Sequence, residues 1–243
     1  MWRPDETRVF AVTALDLRLS DERWPFAERN RDEIAAHWER RIRESPAFFN
    51  GPVLVMTDYA VTEGGVLRGR FLRSDFRSFL YWRETGWRDT SVMDAFGCGL
   101  IFSSEGRVLL GRQRSGNLNG GLCYPPAGFI DSDDVRADGT VDIDASVTRE
   151  IGEETGLAPP TIERTGGYVV TLIGPVLSIA VPYRSPLPGA ELLEAARLHI
   201  TSDAESELTT FLLVEPGSDL DALPMLPYAR ALVSRLADVE IPN

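Results

Sequence analysis

Residues 149–157 read "REIGEETGL". One arginine is followed by three carboxylates, Glu150, Glu153 and Glu154, at i, i+3 and i+4 spacing. Residues three and four apart share a face of an α-helix, so these carboxylates converge while Val147 and Ile151 turn elsewhere. Like charges gathered in this way repel unless something positive lies among them. Arg149 reaches Glu153 at i+4, but one guanidinium does not neutralise three carboxylates. Hard divalent cations bind oxygen ligands, and Mg²⁺ in particular is held by one or two carboxylates, waters and substrate phosphates. The segment therefore predicts a magnesium site on a helix. The limits of that helix are written beside it, with Asp142 as a candidate N-cap and Gly156 as a left-handed residue closing its end.

The rest of the chain sets the frame for that helix. At 243 residues and 43% hydrophobic composition it is long enough for one large domain or two small ones with a real core. Its 25 basic and 37 acidic residues give a formal charge of −12, which argues against broad binding to nucleic acid or to an anionic membrane. A phosphate-bearing small molecule fits better, because a metal ion or a few arginines reverse the sign inside one cleft. The two cysteines, Cys98 and Cys123, form no CxxC motif, which speaks against a disulfide framework or a zinc knuckle and for a reducing cytoplasm. The start lacks a basic region followed by an apolar run, and no stretch reaches the roughly 18 apolar residues that span a bilayer. The expectation is a soluble, unexported protein.

Hydrophobic periodicity orders the elements. "RVFAVTALDLRL" alternates as a strand, and "AERNRDEIAAHWERRIRES" carries Ile34, Trp38 and Ile42 at helical spacing. Strands around a Gly-Gly turn follow, then a short helix capped by Ser74 or Asp75. "GWRDTS" reads as a joint, placing a boundary near residue 90. From Val92 the pattern becomes a hairpin around "SSEG", a loop, the acidic helix, the strands of "YVVTLIGPVLSIAVPYRS", a helical patch at "GAELLEAARLH", a strand at "ELTTFLLVEP" and a final helix. This order predicts α+β or a layered α/β/α sandwich.

"REIGEETGL" resembles the core of the Nudix box: arginine, glutamate, apolar, any residue, two glutamates, any residue, glycine, apolar. "PPAGFID" is similar to that box's glycine loop, and "VLLGRQRSGNLNGGLCYPPAGF" to the strand and loop leading into it. Together these cover roughly residues 92–215. The resemblance implies an α/β Nudix-type α/β/α sandwich at 91–243 preceded by a smaller α+β extension at 1–90, with Mg²⁺ or Mn²⁺ as cofactor. It implies hydrolysis of the diphosphate linkage of a nucleoside diphosphate derivative, such as a nucleotide sugar. By the same resemblance the metal falls to Glu150, Glu153, Glu154 and the backbone carbonyl of Ala127, with Arg149 supporting the cluster. Glu205 or Glu207 stands where the family often places a downstream base, with Glu207 ranked first. Arg112 and Arg114 after the "LLG" strand, and Arg70, Arg73 and Arg77 in the extension, are candidates for substrate phosphates. The extension is similar in tone to that of Nudix enzymes acting on UDP-sugars.

The chain departs from the box at three places. Gly128 precedes Arg149 by twenty-one residues where the family has fourteen, so "SDDVRADGT" reads as an insertion. Rich in acids and poor in apolar anchors, that loop is expected to be mobile. The usual glutamate eight positions before the arginine is Val141, with Asp138, Asp142 or Asp144 as possible replacements. Ala127 stands for the first glycine of a pair. Val141 and the altered loop leave open an alternative, a catalytically weak Nudix-fold sensor of a nucleotide-like ligand. Diphosphate isomerases share the fold, but no recognisable motif here supplies their additional cysteine.

Overall fold

The structure, a computed structural model, describes residues 6–202 and 206–242. In chain order the elements are β1 (Thr7–Val12), β2 (Ala14–Arg23), α1 (Pro25–Arg29), α2 (Arg31–Glu44), β3 (Pro52–Val61), β4 (Val66–Asp75) and α3 (Phe76–Glu84). There follow β5 (Asp94–Phe102), β6 (Val108–Gln113), β7 (Cys123–Tyr124), β8 (Ala127–Gly128), α4 (Ile143–Thr155), β9 (Glu163–Arg164), β10 (Tyr168–Ile173), β11 (Val176–Arg184), α5 (Gly189–Ser202), β12 (Leu208–Val214) and α6 (Pro227–Arg235).

A large mixed sheet runs β1-β10-β11-β5-β6-β12, with β11 and β5 parallel at its centre. Alternation along the strands sends Leu109, Ile179 and Val181 to one face, where Ile143, Val147 and Ile151 of α4 and Leu192 of α5 meet them. Leu100, Val108, Leu110 and Ala180 face the other way, against Tyr228, Leu232 and Val233 of α6. Helices on both faces of one sheet make an α/β/α sandwich. Among the described residues no helix is long and apolar enough to cross a membrane.

A second sheet, β2-β4-β3, carries the first third of the chain. On one face its Leu17, Met56, Leu67 and Phe71 join the same core as α4. On the other, Val53, Val55 and Leu72 pack with Trp24, Phe79 and Trp82 beneath α1, α2 and α3. The segment "RVFAVTALDLRL" is two strands rather than one: β1 pairs with β10 of the large sheet, and β2 pairs with β4 of the small one. The chain changes sheets at Thr13, whose hydroxyl donates to the Gly64 carbonyl in the β3–β4 turn (3.1 Å). The link near residue 90 therefore separates two helical layers, while the core runs across it.

The insertion before α4 is anchored, contrary to the sequence expectation. Val141 is core, and its N–H donates to Leu17 O (2.9 Å) while Leu19 N donates to Gly139 O (2.9 Å). A short 3₁₀ turn at Ser132–Asp134 is closed at its start by Asp131 in a capping box with Asp134. The anchor comes from β2, more than a hundred residues upstream, where a local reading of the loop cannot find it.

Candidate functional site

Helix α4 begins and ends as its sequence requires. Asp142 caps it through Oδ1, which accepts from Ala145 N (3.1 Å), and Gly156 closes it at φ +66°. Its apolar side docks on the large sheet, and that docking turns Glu150 and Glu154 toward the short β8 segment. Glu154 is 7% exposed and its Oε2 accepts from Ala127 N (3.0 Å). Gly128 supplies the room for Glu150, because a Cβ there would sit 2.2 Å from the Glu150 Cδ. Glu153 is different, with a side chain 63% exposed.

Burial sets the chemistry of this pair. The Glu150 carboxyl is pushed up to about 7, first by desolvation, against the pull of Arg149 and with the negative charges of Glu153, Asp134 and Glu207 adding to the rise. Glu154 is raised well above the carboxylate range by burial and then by Glu150, with its Ala127 N–H bond opposing. Glu207, just before β12, is close enough for its charge to act on both glutamates. The fold thus brings Glu150, Glu154 and Glu207 together. Glu205 lies outside the described residues.

Arg149 is held chiefly by two acids. Its guanidinium donates to Asp134 Oδ1 (2.8 Å) and to Glu150 Oε1 (2.8 Å), with Glu153 farther at 3.9 Å. Asp134 is buried and fixed by Ser146 Oγ (3.0 Å) and by Asp131 N (3.1 Å), both donating to its Oδ2. Asp134 is thus the buried carboxylate that holds Arg149, and it does not stand at position 141. Asp138, Asp142 and Asp144, the candidates by sequence, are committed elsewhere: to Arg18 (3.8 Å), to Arg136 (2.6 Å) and to Arg164 (2.8 Å). Val141 is 3% exposed in the core, where a carboxylate would lose its solvation without a partner. The signal in sequence was the "DSDD" capping pattern at 131–134, which the box spacing does not include.

Tyr124 also borders this group. It is buried on β7, and its hydroxyl is kept protonated by burial and by the charges of Glu154 and Glu207, against a hydrogen bond with Gln113. Among the candidate arginines, Arg114 stands nearest this group: its N–H donates to Glu207 O (2.7 Å) and its Nε to Ser206 O (2.8 Å). Arg112 pairs across with Cys123 on the α6 side of the sheet, away from α4. Arg70 forms a two-pronged pair with Asp58 on the outside of the small sheet (closest contact 2.8 Å). Arg73 reaches Ser20 O (3.4 Å) and Arg77 reaches Asp75 (2.9 Å), neither at the carboxylates.

Glu150, Glu154, Glu207 and the Ala127 carbonyl offer oxygens, the set that suits a hard divalent cation rather than zinc. Among the described residues no three acidic, histidine or cysteine side chains already stand close enough to hold an ion. The fit is one of chemistry: two buried carboxylates that resist ionising together, beside a loop whose glycine leaves space around one of them.

A scan against family models found no match, and a search of curated proteins found none either. Among solved structures, the chain is similar to a Nudix hydrolase from Mycobacterium smegmatis, RenU, at TM-score 0.40 and 18% identity, over 59% of this chain and 84% of that one. It is similar to the MutT protein of Methanosarcina mazei at TM-score 0.40 and 21% identity, over 60% and 94%. A third is the Nudix domain of Shewanella oneidensis NrtR complexed with ADP-ribose, at TM-score 0.35 and 19% identity, over 60% and 87%.

Proposed function

We propose that this chain is a Nudix hydrolase that cleaves the diphosphate linkage of a nucleoside diphosphate derivative, using Mg²⁺ or Mn²⁺. The observation that supports this reading is the buried pair Glu150 and Glu154, held against the Ala127–Gly128 loop with the proton affinity of both raised. Acids in that state gain most from a divalent cation, which removes their repulsion and lets both ionise. Glu150, Glu154, the outlying Glu153 and the Ala127 carbonyl are the ligands we assign. When bound, such an ion polarises phosphate oxygens and makes a coordinated water more acidic.

The chain's own groups do the rest. Asp134 holds Arg149, and Arg149 holds Glu150 in one orientation. Glu207, at the open rim beside Arg114, accepts the proton of the attacking water. Arg114 meets the substrate phosphates as they arrive, whereas Arg112, Arg70 and Arg73, turned to other partners or faces, take no part at this site. Cleavage yields a nucleoside monophosphate and a phosphorylated product. The alternative of a sensor without turnover drew on Val141; the Asp134–Arg149 pair supports the hydrolase reading over it. Two buried cysteines, both free, support a reducing, cytoplasmic setting.

Incubation with nucleoside diphosphate sugars, dinucleoside polyphosphates, ADP-ribose and coenzyme A tests the reading. Release of a monophosphate in Mg²⁺, abolished by chelator and restored by added metal, is expected from at least one of them. No turnover of any, together with no Mg²⁺ or Mn²⁺ binding by calorimetry, would overturn it.

A further inference from the structure

Away from the carboxylates, the first third of the chain forms an open cavity of about 360 Å³ between α1, α2, the start of α3 and the ends of β2 and β4. Four arginines line it: Arg23, Arg31, Arg73 and Arg77. In a protein of formal charge −12, that concentration of positive charge runs against the composition. The acids in the same wall are Glu28 and Asp75, so the six charged groups sum to +2. Asp75 is already used, since it caps α3 at Ser78 N (3.0 Å) and binds Arg77. Arg73 reaches only a backbone carbonyl, Ser20 O. The side chains of Arg23 and Arg31 make no hydrogen bond or ion pair with any described residue.

One polar atom adds to this. Ser74 lines the cavity, and its hydroxyl is buried with no hydrogen-bond partner among the described residues. A buried hydroxyl is costly to leave unpaired, and the adjacent space gives it room for one. Trp24 and Ile34 supply an apolar floor, which weakens screening by water and strengthens any charge pair formed above it.

We propose that this cavity is an anion site that takes the phosphate or diphosphate group of a small molecule directly on its arginines, without a metal ion. Guanidinium groups bind phosphate oxygens in pairs of parallel hydrogen bonds, and several converging on one space select a multiply charged anion over a single carboxylate. The cavity shares no lining residue with the carboxylate site on α4, where phosphate binding is proposed to need a cation. Two sites for the same chemical group therefore separate by their dependence on metal.

Inorganic pyrophosphate titrated by calorimetry into the full chain in excess EDTA reads this site alone. Saturable binding at one site is expected, weakening as salt rises. Arg23→Gln and Arg31→Gln should each lower the affinity at least about tenfold while leaving the melting temperature unchanged, since neither side chain has a partner to lose. Arg70→Gln is the control: it removes a charge from the same sheet but outside the cavity, and should leave binding as it was. Absence of saturable binding in EDTA would overturn the proposal, and so would equal weakening by all three variants, which would mark a diffuse charge effect. No turnover is involved, so a chain that hydrolyses nothing still gives a decisive result here.

Discussion

The carboxylate site and the arginine cavity are opposites in charge and in construction. At α4 the like charges are neighbours on one helix, and burial against the sheet holds them together at the expense of their ionisation. In the cavity the like charges come from β2, α2, β4 and α3, and open space rather than packing lies between them. Glu150 and Glu154 have their protonation set by the protein, whereas Arg23 and Arg31 simply face the gap. A cluster made by a helix is rigid and expensive, and so suits an ion whose charge is fixed. One made by strand ends and helix starts is cheap and roomy, and so suits a larger anion.

The comparison breaks first at Glu154. Glu154→Gln and Glu150→Gln should lower kcat by at least about a hundredfold with the fold intact, near 3 kcal/mol of transition-state stabilisation. Glu153→Gln, whose side chain is 63% exposed, should lose less. Equal rates for all three under saturating Mg²⁺ would mean that burial does not rank the ligands.

Next comes pH. In the metal-free chain Glu150 keeps its proton up to about pH 7, whereas an unfolded glutamate releases it near 4.5. Between those values the folded form binds more protons, so the chain is most stable below the unfolded value and loses stability as pH rises toward 7. The difference is worth about 3 kcal/mol at most. Asp75 and Asp89, whose pKa values are lowered, stay ionised throughout that window and do not oppose the trend. Melts in EDTA should therefore show a falling Tm from pH 5 to pH 8, flattened by Mg²⁺. A Tm that is level or rising in EDTA would show that the carboxylates are not strained together.

Asp134→Asn probes the support of the site. The amide keeps an oxygen for Ser146 and Asp131 N but loses the charge that holds Arg149, so a fall of about tenfold in kcat and in Mg²⁺ affinity is expected. Full activity would mean that Glu150 needs no help in its orientation. The smallest effect belongs to Arg70→Ala. Its pair with Asp58 is 57% and 54% exposed, so the midpoint of unfolding in urea should not move measurably.

Much of α4 was legible because its determinants are local. The cap at Asp142, the stop at Gly156 and the i, i+3, i+4 spacing all lie within fifteen residues, and intrahelical hydrogen bonding decides them. The hairpins around Gly64-Gly65 and "SSEG" were legible for the same reason. The division of "RVFAVTALDLRL" between two sheets was not, since an alternating strand reads alike whether it pairs with β4 or with β10.

The sequence by itself thus determined a sandwich-type order of elements, a helix bearing three carboxylates, and a charge balance that leaves phosphate chemistry to local sites. Tertiary structure decided which of those carboxylates are buried, that Asp134 rather than Asp138, Asp142 or Asp144 holds Arg149, and that Arg112 faces away from them. It also decided that Arg23, Arg31, Arg73 and Arg77 share one cavity. The physical reason is range: helix periodicity and capping act over one or two turns, while burial and charge pairing depend on which distant strands dock, and strand pairing carries no local record of its partner.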